Sequence, residues 1–385
     1  MKVSIVPCDS YDAALAEASL QQALEPLGGL EWVQSGMTVA VKANLVTFLK
    51  PEAAATTHPV LLCALVRLLN KRGARVIVGD SPGGLYTRAY VDRIYSATGM
   101  KAIEEAGGEL NRDFSVKDAV FEEANEAKTF TYTAWLDRAD VIIDFCKLKT
   151  HGMMAMSGAA KNMFGVIPGT AKPEYHYRYP DPDRFADMII DLNEYFKPML
   201  SITDGVVGME GNGPTAGTPR KIGVLIASDS PHAADLIGAA LIGLKPQDVP
   251  TLQAAVRRGL IPSTPEEVET VGEWKPYIVH DYQRVETAHS LRFNRDSQTF
   301  FGRISANFLD KALASRPVLK GDECVGCKEC FRICPANAIE MIGGKPSIDR
   351  KKCIRCFCCQ EFCPKGALKV KRTALARLLV RDSKK

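Results

Sequence analysis

Short β-branched runs alternate with longer runs of helical period over the first 240 or so residues, and neither kind leaves one face wholly polar. Strands are predicted over 3–7, 38–45, 76–78, 139–145 and 222–227. Helices are predicted over 13–27, 59–70, 91–106, 185–196 and 231–244. Strands too apolar for a wet face belong in sheets covered on both sides. The expected fold class is therefore α/β, a large three-layer domain with a mostly parallel sheet, its strand order left open.

The 385 residues allow two or three domains. The large domain is expected over 1–300, with 245–300 as an irregular arm or lid. A linker follows over 301–319, a small domain over 320–370 and a basic tail over 371–385. The composition, 46% hydrophobic and 24% charged, argues against disorder. A net charge of +4 without an aromatic-interleaved basic stripe gives no reason to expect nucleic acid. No stretch reaches the ~20 apolar residues of a membrane span. The N-terminal residues read as a first strand rather than a leader, and a cytoplasmic setting is expected.

Twelve cysteines are spread unevenly. Cys324, Cys327, Cys330 and Cys334 fall in C-x2-C-x2-C-x3-C-P spacing, which Cys353, Cys356, Cys359 and Cys363 repeat, with Pro335 and Pro364 after each run. A tight loop of this kind wraps three corners of an iron–sulfur cube, and the last cysteine of each run serves the other cluster. Cys324, Cys327, Cys330 and Cys363 are thus assigned to one 4Fe–4S cluster, and Cys353, Cys356, Cys359 and Cys334 to a second. Zinc is the competing reading of any cysteine quartet, and two compact runs with matching prolines disfavour it. Cys358 is surplus and reads as inert. Ile339 and Leu368, at matching places in the repeat, are expected in the small core. The stretch resembles a bacterial-type two-cluster ferredoxin, implying a ferredoxin-like α+β domain and low-potential one-electron chemistry.

Polar groups gather where the predicted strands end, the usual place for ligands in open α/β sheets. Lys42 and Asn44 close one strand. Asp80 and Ser81 lie in Gly79-Asp80-Ser81-Pro82-Gly83-Gly84, whose N–H groups suit an anion. Lys147, Lys149 and His151 follow another strand, and Ser157 to Asn162 read as a small-residue helix start beside Lys161. Glu210 and Asn212 sit on a glycine-rich loop, and Asp229 follows the strand 222–227. Neither G-x-G-x-x-G nor G-x-x-x-x-G-K-S/T occurs, which disfavours an ordinary nicotinamide or ATP site and leaves room for a flavin.

The motifs Asp80-Ser81-Pro82-Gly83, Lys147-Leu148-Lys149-Thr150-His151, Gly158-Ala159-Ala160-Lys161-Asn162-Met163-Phe164-Gly165 and the run from Asp204 to Pro214 resemble the domain-of-unknown-function family numbered 362 (DUF362). Many of its members carry a C-terminal ferredoxin domain. The family more often has proline at the position of Ala43, and its label implies no reaction.

The residues themselves read as a reductase. Electrons enter through the ferredoxin domain from a redox protein and reach a small anionic substrate. His151, Lys149, Lys161 and Glu210 are the expected catalytic residues, His151 being the proton donor. Lys42, Asn44, Asp80, Ser81, Lys147, Asn162, Asn212 and Asp229 are the expected binding residues. The alternatives are a non-catalytic electron-transfer or docking subunit of an anaerobic redox complex, or structural clusters beside non-redox acid–base chemistry.

Overall fold

The computed structural model describes residues 1–285 and 315–371. In chain order its larger body contains β1 (Lys2–Pro7), β2 (Thr38–Ala43), β3 (Arg75–Gly79), β4 (Glu109–Leu110), β5 (Val116–Val120), β6 (Thr129–Thr133), β7 (Val141–His151), β8 (Ala155–Ser157), β9 (Leu200–Glu210), β10 (Thr218–Ser228) and β11 (Glu269–Val271). Nine of these form one sheet in the order β11-β1-β10-β9-β7-β2-β3-β4, with β8 folded back on β7 and the β5–β6 hairpin standing apart. From β9 to β4 every neighbouring pair along that order is parallel, while β10 runs against both of its neighbours.

Alternate residues of each strand feed two separate cores. On β2, Val39, Val41 and Ala43 enter one and Ala40 the other; on β7, Ile143 and Phe145 enter the first, Cys146 and Leu148 the second. The first core is closed by Leu20, Leu62 and Ile94 from the helices Ala13–Leu24, Pro59–Lys71 and Arg88–Ala97. The second is closed by Phe185 and Ile189 of the helix Pro182–Phe196 and by Leu236 of Pro231–Leu241. Helices cover both faces, giving the three-layer α/β fold that the strand pattern implies.

Several boundaries differ from expectation for local reasons. The helix expected over 91–106 stops at Ala97, where Gly99 takes φ +74°, and resumes as Ala102–Glu105. The strand expected to end at 145 continues to His151, past a register shift between Lys147 and Lys149. The glycine-rich loop expected to hold Glu210 and Asn212 begins only after Glu210, the last residue of β9, so Gly205 and Gly208 lie within the strand. A Cβ on Gly205 would fall 3.0 Å from Val224 O, and one on Gly208 2.8 Å from Ile222, so these glycines serve close packing rather than turning. The arm after 245 holds the helix Pro250–Arg257 and β11, which pairs with β1 at the sheet edge. Its remainder over 286–300, most of the expected linker and the basic tail from 372 lie outside the described residues.

The small domain begins inside the expected linker. β12 (Arg316–Leu319) pairs with β15 (Leu368–Lys371), and β13 (Ile339–Ile342) with β14 (Lys345–Ile348). The backbone repeats along with the cysteines. Gly326, Lys328 and Asn337 have φ of 68°, 66° and 48°, matched by Arg355, Phe357 and Gly366 at 60°, 62° and 58°. Ile339 and Leu368 are buried together, as the repeat predicts. Among the described residues no helix is long and apolar enough to cross a membrane.

Candidate functional site

The eight cysteines gather in crossed groups. Cys324, Cys327 and Cys330 share a cavity with Cys363, while Cys353, Cys356 and Cys359 share another with Cys334. Among the described residues no three His, Cys, Asp or Glu side chains converge tightly enough for a single metal ion. Thiolates spread around a hollow suit a cuboid rather than zinc. The fourth cysteine of each run also accepts a backbone N–H, from Ala338 to Cys334 Sγ at 3.3 Å and from Ala367 to Cys363 Sγ at 3.2 Å. Such bonds favour sulfur in its anionic, ligating form.

The small domain docks on the edge of the sheet where β2, β3 and β7 end. Asn212 Nδ2 donates to Leu368 O (3.2 Å), Gln360 Nε2 donates to Asn212 O (3.0 Å), and Thr215 Oγ1 donates to Glu361 O (2.8 Å). Phe362 enters the turn at Gly83. Between the two bodies lies a cavity of about 50 Å³, whose walls include Lys149, Lys161, Lys172, His176, Glu361 and Phe362.

Its floor is a tied network. Lys42 Nζ pairs with Asp80 Oδ1 at 2.6 Å, and Asp80 Oδ2 accepts Leu45 N–H at 2.9 Å. Asn162 Nδ2 donates to Asp144 Oδ1 (2.6 Å) and to Lys42 O (3.1 Å), while its Oδ1 accepts from Asn44 Nδ2 (3.0 Å). Gly165 lies against this network. A Cβ there would fall 2.3 Å from both Asp80 Oδ1 and Lys42 Nζ, so only glycine fits.

The amines on the walls carry unusual proton affinities. Burial, helped by Lys161, pushes the Lys149 ammonium down to about 7, and burial pushes Lys172 to about 7 as well. Burial also lowers Lys161, which makes no hydrogen bond to the described protein. Lys149 donates to Asn44 Oδ1 and Ala55 O, each at 2.6 Å. Two hydrogens hold it in place, so a third proton can come and go without loosening the side chain.

His151 and His176 are lowered by burial to about 4 and about 3, so both rings are neutral near pH 7. His151 Nδ1 accepts from Met153 N and Met154 N, which leaves its proton on Nε2, 3.7 Å from Glu361 Oε2. Burial would raise Glu361, yet the His151 imidazole and the Lys161 ammonium hold its carboxyl well below the usual range.

Asn44, Asp80, Ser81, Lys149, Lys161 and Asn162 all line the cavity as the sequence suggests, and Lys42 braces it from below. Others go elsewhere. Lys147 is sealed in the core against Asp204 (2.8 Å) and Tyr11 Oη (2.7 Å). His151 stands behind Glu361 rather than on the cavity wall. Glu210 accepts Gln283 N–H at 2.9 Å, and Asn212 belongs to the domain interface. Asp229 sits at the opposite end of the sheet, accepting Lys2 N–H at 3.0 Å, because β10 runs antiparallel.

The two expected anion cradles are already filled. Ala159 N and Ala160 N both donate to Asp235, at 2.6 and 3.0 Å. In the turn after β3, Ser81 N donates to Gly165 O, Gly83 N donates to Val46 O, and Ser81 Oγ accepts from Gly169 N. Sequence reading missed Lys172 and Glu361. Lys172 lies on a helix beyond the recognised motifs, and Glu361 looks like an ordinary surface acid until the domains meet.

Residues 39–240 match the family described as Domain of unknown function (DUF362), and residues 316–364 match the 4Fe-4S dicluster domain. A thylakoid-associated protein of Synechocystis sp. is 31% identical over 301 residues, covering 76% of this chain and 90% of that protein. Among solved structures, the lactate racemase apoprotein from Thermoanaerobacterium thermosaccharolyticum overlaps with a TM-score of 0.40 at 10% identity, over 62% of this chain and 56% of that one. A protein from Thermotoga maritima overlaps with a TM-score of 0.36 at 15% identity, over 56% and 55%. With its motifs lining one cavity and a cluster-binding domain closing it, the chain is a member of the DUF362 family that carries a C-terminal iron–sulfur, ferredoxin-type domain.

Proposed function

We propose that the protein is an iron–sulfur oxidoreductase passing low-potential electrons through two 4Fe–4S clusters to a small anionic substrate in the lysine-lined cavity. The observation that carries this reading is the position of Glu361 and Phe362. They line the cavity, and they sit in the chain between Cys359 and Cys363, one from each thiolate group. Electron-transfer module and pocket thus share a wall. When bound, the clusters supply single electrons taken from a reduced carrier protein.

Two such electrons and two protons reduce a C=O or C=C bond of the substrate. Lys161 and Lys172 hold the anion and offset the charge that grows during reduction. Lys149 gives one proton, since its affinity near 7 suits donation at neutral pH, and the half-buried Lys161 gives the second; both regain protons from solvent. His151 stands behind Glu361, 3.7 Å from its carboxylate, and takes no part in the proton transfers. A cavity of about 50 Å³ has room for roughly three or four waters. That suits a small acid, and the scheme draws on no flavin. The carrier protein docks at the exposed Cys327, beside the uncovered Val325 and Phe331.

The test is anaerobic holoprotein with reduced methyl viologen as donor and the small molecules retained through purification as acceptors. Viologen oxidation that depends on those molecules, and that Lys149→Met removes at unchanged iron content, supports the reading. Oxidation untouched by Lys149→Met places the chemistry elsewhere.

A further inference from the structure

We propose that the cavity is a carboxylate subsite and that Glu361 is its built-in occupant, which the carboxylate of the substrate displaces. The inference rests on the cavity being the substrate site and deepens that reading by naming the ligand class. Lys42 is matched by Asp80 and Lys147 by Asp204. That leaves Lys149, Lys161 and Lys172 around one further carboxylate, Glu361.

Glu361 is held loosely. Its side chain has no hydrogen bond to the described protein, and its nearest cationic or imidazole nitrogen, His151 Nε2 at 3.7 Å, is beyond hydrogen-bonding distance. It is 21% exposed, so a path outward exists. Meanwhile the buried Nδ1 of His176 has no partner, and the His176 ring is fixed by stacking on Phe185 at 4.5 Å. A buried polar atom without a partner is costly, and His176 lies on the wall of the same cavity that Glu361 lines.

Exchange of one carboxylate for another conserves charge inside a poorly solvated site. A neutral ligand would strand three amines without a counter-charge, and a larger dianion exceeds the room available. The chain's own occupant therefore states the ligand class. Because Glu361 lies between Cys359 and Cys363, its displacement also registers ligand arrival at the segment that joins the two thiolate groups.

Acetate is the probe, titrated calorimetrically into oxidised holoprotein with no electron donor present, so the outcome is independent of any reductase activity. Glu361→Ala should bind acetate at least tenfold more tightly than wild type, with acetamide and sulfate binding weakly to both. Glu361→Gln, which keeps the packing, should fall between them and covers the case in which the alanine variant does not fold. Adding Lys161→Gln should remove the gain. Equal acetate affinity in wild type and the Glu361 variants overturns the proposal, as does acetamide or sulfate binding as well as acetate.

Discussion

Phe362 packs against the bare Cα of Gly83, so closely that a Cβ on that glycine would fall 2.5 Å from the ring. The cluster-binding domain therefore touches the turn after β3 directly, at the rim of the cavity that Asp80 and Ser81 help to form. Contact rather than turn geometry calls for glycine at 83, for its φ is not positive.

Gly83→Val should push Phe362 out of its seat. Overpacking of this kind costs about 1–3 kcal/mol. The expected outcome is a lower unfolding temperature, faster proteolysis between the domains and slower turnover, with cluster absorbance retained. An unchanged melt and unchanged turnover would show that the contact does not hold the domains together.

Lys149 sets a pH dependence with a definite sign. Its proton affinity in the fold is near 7, so the donor form is lost as pH rises through 7, and turnover should fall there. The unfolded chain holds this proton up to about 10.4. Between those values the unfolded state binds more protons, so the Lys149 contribution to stability rises with pH. Lys149→Met should flatten both the turnover profile and the pH slope of the unfolding temperature. A variant with the wild-type slopes would assign the titration to another group.

Much of this site was legible in the sequence, and what was not has identifiable causes. Lys42, Asn44 and Lys149 follow from strand ends, where period-2 patterning and the open edge of an α/β sheet fix position, and Asn162 from the small-residue helix start beside them. Asp229 was misplaced because strand direction is not written in a single strand's pattern. Lys147 looked equivalent to Lys149, yet only the register with β9 brings Asp204 against it. Glu210 read as a loop residue because glycines mark turns and close backbone packing alike, and it is the last residue of β9. Glu361 could be found only once the two domains were in contact.

The crossed grouping of cysteines predicts which substitutions resemble each other. Cys363→Ala should remove the same low-temperature paramagnetic signal as Cys324→Ala, and Cys334→Ala the same signal as Cys353→Ala. If Cys363→Ala instead matched Cys353→Ala, each run would hold its own cluster.

Cys358 is fully buried and lines the same cavity as the ligand cysteines Cys356 and Cys359, where its thiol can donate to a ligand sulfur. A thiol donating to a ligand sulfur stabilises the reduced state. Cys358→Ala should keep full iron content and shift one reduction potential to a more negative value, measured by redox titration. An unchanged potential would leave the residue as packing alone.

The most direct test of electron flow into the cavity is stopped-flow reoxidation of dithionite-reduced holoprotein by short 2-oxo and 2-enoic carboxylates. At least one of them should restore cluster absorbance, with two electrons consumed per product formed, and Lys149→Met should slow the recovery at least a hundredfold. Reoxidation at the same rate in wild type and in Lys149→Met would contradict electron flow into the cavity.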